Sequence, residues 1–121
     1  MLFRSRSQVA AAAGVRDAKA SQVRDQLQAW VIAHPGDFDA WQELGYLWQL
    51  EGQTVRAIRA QAEARHAMGD LNGAVDRMTA AQKLVRENTQ LDPIEASVVA
   101  ARLKVWRQAQ MDRLKDRDRR L

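Results

Sequence analysis

The residues best suited to chemistry are few and scattered. His34 stands beside Pro35 in a turn, and His66 falls late in a helical segment, with no carboxylate constellation around either. A hydrolytic zinc centre takes two histidines one helical turn apart with a glutamate as base. Neither histidine fits that pattern, and His66 reads as a polar-face residue. The chain has no cysteine, which removes thiolate metal sites and disulfides and leaves the redox compartment unread. The expectation is a chain with no catalytic set, no metal and no cofactor.

The other residues that stand out suit binding and packing. Trp30, Trp41, Trp48 and Trp106 could stack on a ligand, but each lies on an apolar helical stripe and reads as core. Glu63 and Arg102 sit among small apolar residues (Ala62, Ala64, Ala101, Leu103), where a carboxylate needs a cation or several donors to stay charged. They are expected to form an inter-helix ion pair with a structural role. Basic charge is concentrated at the end: residues 102–121 carry eight Lys/Arg against Asp112, Asp116 and Asp118, a net +5 that leaves −1 for the rest. No aromatic residue follows Trp106 to stack on a base, and the arginines alternate with aspartates, so a solvated helix end is favoured over nucleic-acid binding.

These residues must be positioned by helices. Hydrophobic residues at 46% and charged residues at 28% are the balance of a folded domain, and Pro35 and Pro93 are the only prolines. No run approaches the roughly 18 apolar residues of a membrane span. The apolar run 9–13 is too short for a secretory h-region and reads as helix. Gly14, Pro35-Gly36, Gly52, Gly69-Asp70 and Asp92-Pro93 divide residues 1–121 into about six helices of one domain. The first is expected over about 2–13. The second, 16–33, places Ala20, Val23, Leu27, Trp30 and Val31 on one face. The third, 38–50, stacks Trp41, Leu44, Gly45 and Trp48, with Asp37 as N-cap. The fourth, 54–68, is rich in small residues around Val55, Ile58 and Ala62. The fifth, 71–86, carries Leu71, Ala74, Val75, Met78 and Val85, with Asn72-Gly73 in its first turn. The sixth opens on Asp92-Pro93-Ile94-Glu95, with Glu95 placed to reach back to the cap. Its stripes Ile94, Val98, Ala101, Val105 and Val99, Leu103, Trp106 both read as packed, and 112–121 reads as a charged, frayed tail.

Short connections make consecutive helices antiparallel neighbours, and a stack of hairpins buries such faces. Gly52 to Ile58 and Gly69 to Val75 share Gly, four residues, then Ala and a β-branched residue, at an offset of 17. Trp41, Leu44, Gly45, Trp48, Ala57 and Ala64 fall at the signature spacing of a tetratricopeptide repeat, whose 34-residue period is twice that offset. Pro35 precedes Trp41 by six residues, and Gln61 stands where the repeat has a large aromatic. The expected fold is an all-α, tetratricopeptide-like stack of antiparallel hairpins. In that register Asp39, Gln42, Tyr46 and Gln49 face a concave groove suited to an extended peptide.

A narrower resemblance spans about 27–106. Leu27-Gln28-Ala29-Trp30-Val31 with His34-Pro35, Arg56-Ala57 through Ala62-Glu63-Ala64-Arg65, Gly73-Ala74-Val75-Asp76-Arg77, and Ile94-Glu95-Ala96-Ser97 through Ala101-Arg102-Leu103 resemble the C-terminal repeat domain of bacterial periplasmic HExxH zinc metallopeptidases of the BepA-like class. Those relatives commonly have an acidic residue where Ala100 stands. The resemblance implies a periplasmic protein-interaction region whose partners are its own protease domain, the outer-membrane assembly machinery and the substrates of that machinery. It also implies that the protease lies outside this chain. A freestanding repeat adaptor is the alternative, with nucleic-acid association through the basic tail behind it.

Overall fold

The computed structural model describes residues 13–88 and 91–120, which form five α-helices and no strand. They are α1 (Ala13–Ala33), α2 (Phe38–Leu50), α3 (Thr54–Ala67), α4 (Leu71–Glu87) and α5 (Pro93–Arg120). An all-α class is therefore established. The helix expected over 2–13 lies outside the described residues apart from its last position. Gly14 does not end a helix as expected, because α1 begins at Ala13 and continues through it.

Two helix ends share one geometry. Gly52 (φ +73°) and Gly69 (φ +88°) occupy the left-handed region that favours glycine. Gln53 N–H donates to Trp48 C=O and Gly52 N–H to Gln49 C=O, closing α2. Asp70 N–H to Arg65 C=O and Gly69 N–H to His66 C=O close α3 in the same way. The next helix starts at once. Asp37 accepts from Ala40 N–H at 3.1 Å to cap α2, and Asp70 accepts from Gly73 N–H at 2.8 Å to cap α4, so Asn72-Gly73 is the first turn of α4.

Each helix packs on the next in sequence. Arg107 donates to Thr79 and Gln110 to Asn72, so α5 runs antiparallel to α4. The α3 and α5 pairs Arg59–Glu95 and Arg102–Glu63 advance together, so those two helices are parallel. Two apolar clusters result. One joins Val31 of α1, Ala40, Trp41, Leu44 and Trp48 of α2, and Ala57, Ala60 and Ala64 of α3. The other joins Val55 and Ala62 of α3, Leu71, Ala74, Val75, Met78 and Ala81 of α4, and Val99, Leu103 and Trp106 of α5. α3 is thus shared, one face in each cluster, and its small residues permit both approaches. At Gly45 a Cβ would lie 3.3 Å from the Ala57 carbonyl oxygen and 3.4 Å from Ala60 Cβ, which marks the close contact of α2 with α3.

Four expectations are corrected. Trp30 is 47% exposed rather than core: it sits beside the buried Val31 but at the rim, its ring stacked on His34 and its Nε1 donating to Asp37 at 2.8 Å. On α5 only the Val99, Leu103, Trp106 stripe is buried. Ile94 and Val105 are 73% and 56% exposed, because no described helix lies on that side. Glu95 does not reach back to Asp92; it is buried and turned toward α3. The last described residues, 112–120, are exposed as expected but helical to Arg120 where a frayed tail was expected.

Candidate peptide groove

The third predicted helix, α2, turns Trp41, Leu44, Leu47 and Trp48 inward and leaves Gln42, Tyr46 and Gln49 on its outer side. Those three line one wall of a groove of about 340 Å³. Phe38 closes it at the start of α2, Gln61, Ala64 and Arg65 come from α3, and Arg77 comes from α4. Asp39, the fourth expected residue, is exposed in the first turn of α2 and does not line it. Arg65, Gln61 and Arg77 were not foreseen. Gln61 carried the only signal, standing where the repeat pattern has an aromatic.

The lining has a definite chemistry. Among the described residues it holds two guanidinium groups and no carboxylate. Arg65 is held at 3.3 Å by Asp70 of the α4 cap. The side chains of Gln42, Tyr46, Gln49, Gln61 and Arg77 make no hydrogen bond or ion pair with another described residue. Tyr46 is 53% exposed. The groove floor is closely packed, with α2 and α3 in contact at Gly45 and over the first apolar cluster.

The stage beneath it is held by charge as well as apolar packing. Arg102 Nε and NH2 donate to the two Glu63 oxygens at 2.8 and 2.9 Å, the forked geometry that planar guanidinium favours. Glu63 is buried and Arg102 only partly so. A second buried carboxylate, Glu95, accepts from Arg59 at 2.6 Å and lies 3.6 Å from Arg56, which also meets Asp92 at 3.3 Å. α3 therefore offers plus, plus, minus (Arg56, Arg59, Glu63), answered by minus, minus, plus from Asp92, just before α5, and from Glu95 and Arg102 within it. Arg24 and Arg56 both lie about 5 Å from the Trp48 ring, and Arg24 also reaches Glu51. On Trp106, His66 stacks at 5.0 Å between centroids, with Arg102 also near the ring. His66 is thus a stacking partner at the seam.

At the other end of α2, Asp37 is held below the usual carboxylate range, first by the Trp30 indole N–H, then by Ala40 N–H, with nearby His34 adding to the effect. His34 and His66 lie in different contacts, and among the described residues no group of three or more His, Cys, Asp or Glu side chains could hold a metal ion. No described helix is long and apolar enough to cross a membrane. A second cleft, of about 390 Å³, lies between α4 and α5, lined by Gln82, Ala100, Leu103, Lys104, Arg107, Gln108 and Met111. Comparison with protein-family models, curated proteins and solved structures finds no match to this chain.

Proposed function

We propose that this chain is a non-catalytic protein-interaction module, a tetratricopeptide-like stack whose α2–α3–α4 groove receives an extended segment of a partner protein. One observation carries the reading: a groove whose lining side chains Gln42, Tyr46, Gln49, Gln61 and Arg77 have no partner among the described residues, standing on a packed and ion-paired base. The repeat register is supported by the inward Trp41, Leu44 and Trp48, by the close approach at Gly45, and by two identical helix ends 17 residues apart.

The wider setting we propose is the repeat region of a periplasmic zinc metallopeptidase acting in outer-membrane protein assembly or quality control. It rests on the residue resemblance alone. An HExxH motif and a signal peptide in the reading frame upstream of Met1 would support it; an independent start with its own ribosome site would favour the freestanding adaptor. Zinc-dependent casein cleavage by the clean chain would overturn the non-catalytic reading.

The groove is tested by Tyr46→Ala. This substitution should reduce capture of partner polypeptide from periplasmic extract while leaving the melting temperature nearly unchanged, because the ring is exposed. Trp48→Ala, a core truncation, should cost about 3 to 5 kcal/mol. A comparable stability loss at Tyr46 would show that the outward face has been misassigned.

A further inference from the structure

Recognition of an extended chain can draw on its side chains, which calls for apolar pockets, or on its main chain, which calls for paired donors and acceptors. The groove is poor in the first and rich in the second. Its apolar lining is Phe38, Ala64 and the Tyr46 ring, whereas Gln42, Gln49 and Gln61 each bring a carboxamide. A carboxamide has two N–H donors and one acceptor oxygen, so it can donate to the C=O and accept from the N–H of a peptide unit. None of the three is engaged by another described side chain or backbone group.

Spacing and charge narrow the occupant. Gln42 and Gln49 are seven residues apart on α2, about 10 Å at 1.5 Å per residue. That is the length of about three residues of extended chain at ~3.4 Å each. Tyr46 lies between them and offers a flat ring that any extended backbone can cross. Opposite α2, Arg65 and Arg77 meet no lining carboxylate, and Arg77 has no ion-pair partner among the described residues. A guanidinium fork presents two parallel donors to a carboxylate. The basic end of α5, with Arg113, Lys115, Arg117, Arg119 and Arg120, is disfavoured as the occupant by like charge.

We propose that the groove binds an extended, acidic polypeptide segment chiefly through its main chain, with the three glutamine amides pairing to peptide groups and Arg77, assisted by Arg65, selecting a carboxylate side chain. This deepens the interaction-module reading and rests on it. It makes the module tolerant of partner sequence and selective for partner charge and extension.

The test is fluorescence anisotropy on the 121-residue chain with three labelled peptides: alternating Thr-Glu, the same peptide N-methylated at alternate residues, and alternating Thr-Lys. The Thr-Glu peptide should bind, and both others should bind at least about tenfold more weakly, the free-energy equivalent of one or two lost hydrogen bonds. Gln42→Leu with Gln49→Leu should remove about tenfold for Thr-Glu. Arg77→Gln should abolish the preference for Thr-Glu over Thr-Lys while keeping the N-methylation effect. All these positions lie at the surface of the groove, and unchanged melting temperatures confirm folding. Equal binding of the N-methylated peptide, or no binding of Thr-Glu, overturns the proposal. If partner capture still depends on Tyr46 in that case, the groove reading survives and only the main-chain, acidic specificity fails; if it does not, the groove reading fails as well.

Discussion

A single side chain in this protein is rarely explained by its own helix. Glu63 and Arg102 lie in different helices, and each sits among small apolar residues that leave room for a forked contact. With one partner buried and the other partly exposed, the pair lies between the ~0 to 1 kcal/mol of a surface ion pair and the ~3 to 5 lost on breaking a buried one. A double-mutant cycle with Glu63→Gln and Arg102→Met should therefore give a coupling of about 1 to 3 kcal/mol; additive losses would sink the interpretation. Asp37 makes a pH-dependent contribution of known sign. Its folded-state pKa lies below its ordinary value because Trp30 and Ala40 donate to the carboxylate. The stabilisation is fully present above the unfolded value of about 3.9 and is lost as pH falls through the lower folded value. Asp37→Asn should flatten the stability profile of α2 below about pH 4, as followed by thermal melts across pH; an unaltered acid limb would show that the cap does not titrate with folding.

Elements were legible in the sequence wherever local chemistry decides them. Asp37, Gly52, Gly69 and Asp70 end or begin helices through their own backbone and side-chain preferences, so those boundaries fall where their types predict. What a helix buries is a different matter, since a wide apolar arc does not say which part has a neighbour. α2, α3 and α4 each pack against helices before and after them, and their expected core residues are largely buried; α5 packs along one side, and Ile94 and Val105 stay in solvent. Glu95 was misread because a local cap and a partner 36 residues away compete for one carboxylate, and Arg59 holds it. The groove was half legible. The outward face of α2 follows from period alone, but Arg65 and Arg77 join it only through the packing of α3 and α4. Toward the end of α5 opposite charges recur three and four residues apart, as at Asp116 and Arg119, a spacing that suits a helix. Beyond Met111, which still lines the cleft between α4 and α5, residues 112–120 run on as about 13 Å of exposed helix. Ending the chain after Met111 should remove helical ellipticity while moving the melting temperature by no more than about 2 °C; a larger drop would mean that this segment packs on the domain.

At the scale of the whole molecule, α3 belongs to both apolar clusters, with Ala57, Ala60 and Ala64 in one and Val55 and Ala62 in the other. Losing either neighbour exposes a face of the helix that supports the second, so the two clusters should melt together. Trp48 reports on the first and Trp106 on the second. Single-tryptophan variants that keep one or the other, with phenylalanine at the remaining tryptophan positions, should give coincident denaturant midpoints. Separated midpoints would divide the stack into independent parts. The order in which helices touch has a kinetic meaning too. Because α1 meets α2, α2 meets α3, and so on to α5, most contacts form between residues close together along the chain. Little loop-closure entropy then stands in the way of the search, and the refolding relaxation should fall in the microsecond-to-millisecond range of helical domains with low contact order. Temperature-jump or stopped-flow tryptophan fluorescence can read it, and a dominant phase slower than about a second would mean that the rate is set by something other than topology.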